Sequence, residues 1–161
     1  MGQGAGAWPV ALPFLALLLA ALAGCLGGGD EVSFRLVVSG ESSGIQIAAP
    51  QVFKIASQGD WTDFWDRHAA NLDPAPPAPA VDFASDMVIA VLDKQQPTAG
   101  YSLNVQRVLD KKGRLEVYAV RKEPGAKCVN EQVITQPFRI LSLARSDSEV
   151  TLFLRTEKYK C

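Results

Sequence analysis

Hydrophobic and polar positions follow a strand-like pattern through most of the chain. After a nearly uninterrupted apolar stretch over residues 9–24, short runs rich in Val, Ile, Leu and Phe are bounded by turn-forming residues. These runs predict about seven strands, at 32–38, 52–57, 87–92, 101–106, 115–121, 138–143 and 150–155. We therefore expect a mainly β, β-sandwich-like fold, with hairpins joining the first two strands, the fourth and fifth strands, and the last two strands.

One segment has the period of an α-helix instead. Its apolar and aromatic positions recur at spacings of three and one: Trp61, Phe64, Trp65, His68, Ala69 and Leu72. This stripe predicts one amphipathic helix over about residues 59–71, near the N-terminal side of the domain, with Ser57 and Asp60 resembling a capping box. Four prolines within residues 73–80 then exclude helix and favour a stiff, extended connector.

The apolar stretch at the front has the layout of an export signal. Its end, Leu22-Ala23-Gly24-Cys25, resembles a bacterial lipobox, in which the cysteine thiol receives diacylglycerol and becomes the new N-terminus. Glycines 27–29 would then form a flexible tether. We expect a lipoprotein signal peptide over 1–24, a lipidated Cys25 with a Gly-rich tether over 25–31, and a single β-rich domain over 32–161.

Two alternatives to the lipobox remain open. The apolar stretch over residues 5–26 is near the length of an uncleaved membrane anchor, and Cys25 could follow an ordinary signal peptide by chance. The first ten residues also lack the usual Lys or Arg. We expect a lipid-anchored protein of the cell membrane or outer membrane that faces the periplasm or the exterior. Because Leu26 stands where an inner-membrane retention signal has Asp, the outer membrane is favoured.

Charge and composition narrow the classes of function. The 16 basic and 17 acidic residues all follow residue 24 and form no basic stripe, which argues against a nucleic-acid partner. One histidine and three cysteines are too few for a typical metal site, and no phosphate-binding glycine loop is present. The sequence therefore predicts no cofactor, no metal and no small-molecule substrate.

The sequence also does not indicate any catalytic residues. His68 falls on the apolar face of the predicted helix, where we expect a packed residue at the edge of the core rather than a base. Asp82, Asp86 and Asp93 flank the strand at 87–92, and no spacing specifies a carboxylate pair. We expect these acids to cap and solubilise strand ends, and we expect a protein that is not an enzyme.

Cys128 and Cys161 remain once Cys25 is lipidated. Exported proteins occupy an oxidising compartment in which paired thiols persist. We therefore expect a Cys128–Cys161 disulfide, which would close about 34 residues and add on the order of 3 to 4 kcal/mol by loop entropy. The alternative is two unpaired thiols, one buried and one on a free tail.

Several short motifs support a resemblance to a known family. They are Trp61-Thr62-Asp63-Phe64-Trp65 with His68, Val81-Asp82-Phe83 before Met87-Val88-Ile89-Ala90-Val91, Pro97-Thr98-Ala99-Gly100-Tyr101, Pro124-Gly125 with Cys128, and Gln136-Pro137-Phe138. In this order they resemble the protease complex subunit PrcB family, mainly its C-terminal domain. That family takes its name from a lipoprotein subunit of a surface protease complex. The resemblance implies a non-catalytic accessory or binding module.

Residues 96–101 have the composition of a preorganised binding turn. Pro97 fixes one backbone angle, Gly100 can adopt a positive one, and Tyr101 supplies an amphipathic ring. The turn is also similar to the Asn-Pro-Thr-Thr-Gly-Tyr loop of chagasin-type cysteine-protease inhibitors, and residues 136–138 are similar to their Arg-Pro-aromatic loop. The candidate protein-binding residues are Gln96, Pro97, Thr98, Gly100, Tyr101, Gln136, Pro137 and Phe138.

Three functions are compatible with these observations. The first is a lipid-anchored accessory module that binds another exported protein, such as a protease. The second is a chagasin-like inhibitor, which requires Pro97, Thr98, Gly100 and Pro137 to be exposed together along one edge. The third is a structural envelope lipoprotein without a partner. Under any of these functions, Gly100 could have only a structural role in a turn, and Tyr101 and Phe138 could be core residues.

Overall fold

The computed structural model describes residues 1–2 and 28–161, so the predicted signal segment and Cys25 lie outside the described residues. Within these ranges the chain forms eight strands and one helix. They are β1 (Asp30–Val32), β2 (Phe34–Gly40), β3 (Gln51–Ile55), α1 (Gln58–His68), β4 (Asp86–Leu92), β5 (Ser102–Asp110), β6 (Arg114–Pro124), β7 (Phe138–Ala144) and β8 (Glu149–Tyr159). The predicted mainly β fold is confirmed, and β1 is a strand that the hydrophobic pattern did not separate from β2.

The strands form two sheets of four. The first sheet has the order β1-β5-β6-β8 and the second the order β2-β7-β4-β3. Neighbouring strands are antiparallel except β6 and β8, which are parallel. The parallel pair arises because the chain passes through β7 in the second sheet between β6 and β8, and a parallel pair requires such a crossover.

Only one of the three predicted hairpins is confirmed. The turn between β5 and β6 is a true hairpin, with Lys112 and Gly113 at φ values of 54° and 88° that suit a tight turn. The other two predictions are wrong. β2 and β3 lie at opposite edges of the second sheet, and β7 and β8 belong to different sheets. Alternation along a strand predicts its two faces but does not identify its neighbours.

β4 is buried on both faces and thereby holds the layers together. Met87, Ile89 and Val91 point into the core between the two sheets. Val88 and Leu92 point the other way, into a second cluster formed with α1. The run is apolar at consecutive positions because both faces are covered, as is typical of strands between two layers.

The helix packs on the outer face of the second sheet through its aromatic residues. Trp61 is fully buried, and its Nε1 donates to the Pro79 carbonyl at 3.0 Å. Trp65 Nε1 donates to the Pro76 carbonyl at 2.8 Å. The proline-rich connector is therefore held against the helix by two indole hydrogen bonds.

Both ends of the helix have specific partners. At its start, Ser57 Oγ accepts from the Asp60 amide and donates to the Asp60 carboxylate, so the predicted capping interaction is confirmed. The helix ends at His68 rather than near residue 71, because the His68 carbonyl accepts from the Gly44 amide at 2.8 Å. Leu72 consequently lies beyond the buried stripe and is 44% exposed.

His68 is a packed residue, as its place on the apolar face predicts. Its side chain is only 3% exposed, its ring stacks on Phe64, and its ring centroid lies 4.4 Å from that of Phe138. Nδ1 lies 2.9 Å from Ser43 Oγ, and Ser43 is also buried. Burial lowers the pKa of the imidazole below its usual 6.5.

We predict that His68 makes folding pH-dependent. Because its pKa is lower in the folded than in the unfolded state, stability is unaffected well above pH 6.5 and falls as the pH drops below that value. His68→Gln should have lower stability overall but a shallower pH dependence between about pH 7.5 and about pH 5. Urea unfolding followed by tryptophan fluorescence measures both. Parallel pH profiles for the two proteins would contradict the prediction.

Candidate functional site

Three loops gather at one end of the sandwich, which we call the loop pole. They are residues 41–50, 93–101 and 125–137, joined there by the C-terminal Cys161. At the opposite end, β1 enters the first sheet with Asp30 paired to Asp110. β5 spans nine residues between the two ends, which separates them by about 30 Å.

The two predicted binding segments lie side by side at the loop pole. The Gln96 amide donates to the Thr135 carbonyl at 2.7 Å, and the Thr135 amide donates back to the Gln96 carbonyl at 3.1 Å. Thr135 Oγ1 also donates to the Thr98 carbonyl at 3.0 Å. Segments that are far apart in sequence therefore form one continuous surface.

Four of the eight predicted residues are nevertheless buried. Gln96 is 5% exposed and Gln136 is 3% exposed, and Pro137 and Phe138 are buried as well. The inhibitor hypothesis requires Pro137 to be exposed together with Pro97, Thr98 and Gly100, and the structure does not meet this requirement because Pro137 is buried. The loop at 41–50 is fastened to Gln136, since the Gln136 amide donates to the Glu41 carbonyl and Gln136 Nε2 donates to the Ile45 carbonyl.

The turn at 97–101 keeps partial exposure. Pro97 is exposed, whereas Thr98, Gly100 and Tyr101 are half-buried. Gly100 has a φ of 92°, and a Cβ there would come within 3 Å of Asn130 Oδ1 and the Tyr159 hydroxyl. The Tyr159 hydroxyl donates to the Gly100 carbonyl at 3.0 Å. Gly100 is therefore required both by the backbone conformation and by close packing.

A buried charge underlies the loop pole. Asp93 is fully buried and its Oδ1 accepts from Arg121 Nη1 at 3.1 Å, while Oδ2 accepts from Gln96 Nε2 at 2.9 Å. Arg121 Nη2 donates in turn to Thr156 Oγ1 at 2.9 Å. The expectation that Asp93 solubilises a strand end is wrong, because the adjoining loops cover it and Arg121 neutralises it.

The other two predicted acids lie at the opposite end. Asp82 caps a turn by accepting from the Ala84 amide at 3.0 Å, as expected. Asp86 accepts from Ser142 Oγ and from Arg35, and these two contacts, the serine first, lower the pKa of its carboxyl. Neither acid lies at the loop pole.

Two buried side-chain atoms of the described ranges have no hydrogen-bond partner within the protein, and both lie at the loop pole. They are Arg121 Nε and Gln136 Oε1. An unsatisfied buried polar atom costs about 1 to 3 kcal/mol. Such local departures from optimal folding are expected at functional sites more than elsewhere.

The predicted disulfide is present and pins the longest of the three loops. Cys128 and Cys161 have Cα atoms 5.2 Å apart and are separated by 33 residues. The Gly125 amide donates to the Tyr159 carbonyl, and the Cys128 amide donates to the Gly125 carbonyl. By chain entropy the bridge adds about 3 to 4 kcal/mol and prevents fraying of β8.

The structure reveals three exposed apolar residues on this loop that sequence reasoning missed. Val129 is 100% exposed, Ile134 is 67% exposed and Val133 is 47% exposed. We call these three residues the apolar triad. Several exposed apolar side chains within one surface loop are typical of contact residues for another protein. Their signal in the sequence is a group of apolar residues within 128–134 that fits neither a strand nor a helix.

Neither a metal-binding cluster nor a membrane-spanning helix is found among the described residues. Over residues 28–161 no group of three or more His, Cys, Asp or Glu side chains could hold a metal ion. No helix among these residues has the length and apolar character needed to cross a membrane. The loop pole itself presents exposed apolar side chains on a loop that a disulfide holds in place.

We predict that Asp93→Ala strongly destabilises the domain, by about 3 to 5 kcal/mol, because it leaves Arg121 charged without its buried partner. Arg35→Ala is the matched control, since it removes an ion pair whose arginine is 75% exposed, and we expect a much smaller loss. Urea unfolding at neutral pH measures both. Equal losses would show that the buried pair does not hold the loop pole together.

Comparison with known proteins gives a match to a family model. Residues 87–144 match the family model described as PrcB C-terminal. The matched region runs from β4 through β7 and contains both predicted binding segments, Cys128 and the apolar triad. No curated protein and no solved structure matches the chain.

Proposed function

Starting from the PrcB C-terminal domain that this chain carries over residues 87–144, we propose that the protein is an exported, lipid-anchored and non-catalytic accessory module. Its loop pole binds another exported protein, and the family points to a protease complex as the setting. The observation that carries this proposal is the apolar triad, exposed on a loop that a disulfide and the paired backbone amides of Gln96 and Thr135 hold in place.

Rigidity of the loop pole supports a binding role. Ordering a flexible loop on association costs about 0.5 to 1.5 kcal/mol for each immobilised side chain. Here the Cys128–Cys161 bridge, the paired amides of Gln96 and Thr135, and the Asp93–Arg121 contact fix the loops before any partner arrives. Exposed apolar side chains on such a support lose little entropy on binding.

The position of the N-terminal end agrees with a lipid anchor at Cys25. The described domain begins beside the hairpin turn near Asp110, about 30 Å from the loop pole. Four residues separate Cys25 from Asp30, so an anchored domain would sit close to the bilayer. The anchor would leave the loop pole free for a partner.

The inhibitor alternative has less support than the accessory role. It depends on two proline-containing loops that enter a protease cleft together, and Pro97 is exposed whereas Pro137 is buried. The apolar triad has no equivalent in that mechanism. An accessory module that binds through the triad requires neither proline to reach an active site.

We predict that polar substitutions in the apolar triad weaken partner binding without unfolding the domain. Val129→Ser with Ile134→Ser should reduce recovery of the partner at least tenfold, because each removes apolar contact worth on the order of 1 kcal/mol or more. Leu36→Ser is the matched control, since Leu36 is 57% exposed on β2, away from the loop pole. Tagged full-length chains are purified from solubilised membranes after brief crosslinking, and the proteins that follow them are quantified.

Thermal unfolding of each variant verifies that the fold is retained. Equal recovery of the same proteins with the triad variant and the wild type would contradict binding at the loop pole. Failure to recover any protein with the wild type would favour the structural envelope lipoprotein instead.

We predict that Cys25→Ala abolishes incorporation of radiolabelled palmitate and releases the chain from the membrane fraction. Cys161→Ala is the control, because it removes a thiol of the disulfide and should leave the label intact. An uncleaved membrane anchor would instead give an unlabelled wild type that stays in the membrane fraction. Cell fractionation with metabolic labelling measures both properties at once.

A further inference from the structure

β8 is a long strand at the edge of its sheet. It spans eleven residues at the end of the first sheet, and β6 is the strand paired with it. Within the described part of the chain no strand pairs with its other edge. A long open edge offers a row of amide and carbonyl groups to another strand.

The hydrogen bonds of β8 show which residues face the open edge. Pro124 is the register partner of Tyr159, and the Tyr159 carbonyl accepts from the next amide, that of Gly125. In a parallel ladder this pattern makes alternate residues bond to the neighbouring strand. The odd-numbered residues of β8 therefore bond to β6, and Leu154, Thr156 and Lys158 direct their amides and carbonyls outward.

The side chains of the odd-numbered residues lie on the outer face of the first sheet. Phe153 is 42% exposed and stacks on Tyr118 of β6. Beyond it, the side chains of Arg155 and Glu157 are 65% and 41% exposed and lie 2.6 Å apart. Tyr159, the last residue of β8, ends this row.

We propose that two copies of this chain associate through β8, which pairs antiparallel with β8 of the second copy about a two-fold axis at Thr156. In this register Thr156 faces its own equivalent as a hydrogen-bonded pair, and each copy exchanges both backbone bonds there. Arg155 then faces Glu157 of the second copy, and Glu157 faces Arg155. Together with the Arg155–Glu157 contact inside each chain, this places four charged side chains side by side, and each neighbours charges of the opposite sign.

Charge complementarity selects this register over its neighbours. A two-fold axis at Arg155 places two arginines opposite each other, and an axis at Glu157 places two glutamates opposite each other. Like charges directly opposite on adjacent strands are destabilising, whereas opposite charges contribute about 0.2 to 1 kcal/mol. The axis at Thr156 gives two pairs of opposite charges on one face.

The same register accounts for the exposed Phe153. Arg107, Tyr118 and Phe153 lie in one cross-strand row, with the Arg107 guanidinium 4.6 Å from the Tyr118 ring centroid. Pairing about Thr156 puts Phe153 opposite Tyr159 of the second copy. The second β8 strand then lies beside the exposed Phe153.

The arrangement is compatible with two anchored copies. A two-fold axis that relates antiparallel strands of one continuous sheet runs perpendicular to that sheet. Because rotation about an axis does not change a position along it, β1 of one copy and β1 of the other lie at the same level along this axis. Both N-terminal ends can therefore reach one membrane surface.

Charge reversal tests both the partner and the register. Full-length chains with two different affinity tags are co-expressed and solubilised in excess mild detergent, and one tag is used to recover the other. We expect wild-type chains to co-purify, and we expect about a tenfold loss when both chains carry R155E or both carry E157R. The mixed pair, with R155E in one chain and E157R in the other, should co-purify like the wild type, because every facing pair is again opposite in charge.

Reversals on the exposed face of α1, Asp66→Arg and Arg67→Glu, are the matched controls and should leave recovery unchanged. Thermal unfolding of the single variants shows that each chain folds. Failure of the wild-type chains to co-purify would overturn the proposal. So would failure of the mixed pair to recover, since an edge that accepts a strand from another protein would not be repaired by reversing charge in a second copy.

Discussion

The burial of β4 on both of its faces is the constraint on which the rest of the structure depends. One face closes the core between the two sheets, and the other receives the aromatic side of α1. Trp61 and Trp65 can enter that second layer only because the proline-rich connector supplies carbonyls to their indole nitrogens. Without these bonds, two buried donors would remain unsatisfied. The second sheet is therefore covered on both sides, and the first sheet keeps an open outer face and an open edge.

This asymmetry separates the molecule into surfaces with different physical character. The loop pole exposes the apolar triad above a buried ion pair, and its rigidity comes from a disulfide, that ion pair and paired backbone amides. The outer face of the first sheet is a row of aromatic and charged groups. There, the pKa of the Glu116 carboxyl is lowered by its hydrogen bond from Lys111, then by that from Tyr118. The two surfaces meet at Tyr159, whose hydroxyl donates to the Gly100 carbonyl.

The placement of Asp93 shows how polar groups support an apolar contact surface. A carboxylate at the end of β4 is removed from solvent completely and is neutralised by Arg121 from the opposing sheet. The pair links the two sheets at the end where the loops begin. Removal of one partner would leave the other charge buried, so the contact acts as a clamp on the loops as well as on the sheets.

Sequence patterns alone predicted seven of the eight strands, the helix with its start, the hairpin at 110–113 and the pairing of Cys128 with Cys161. Each of these depends on local periodicity, turn chemistry or a count of thiols. Tertiary structure decided which strands are neighbours, that Asp93 and Pro137 are buried, and that Val129 and Ile134 are exposed. These properties depend on contacts between segments that are far apart in the sequence. The pattern of residues along the chain does not specify those contacts.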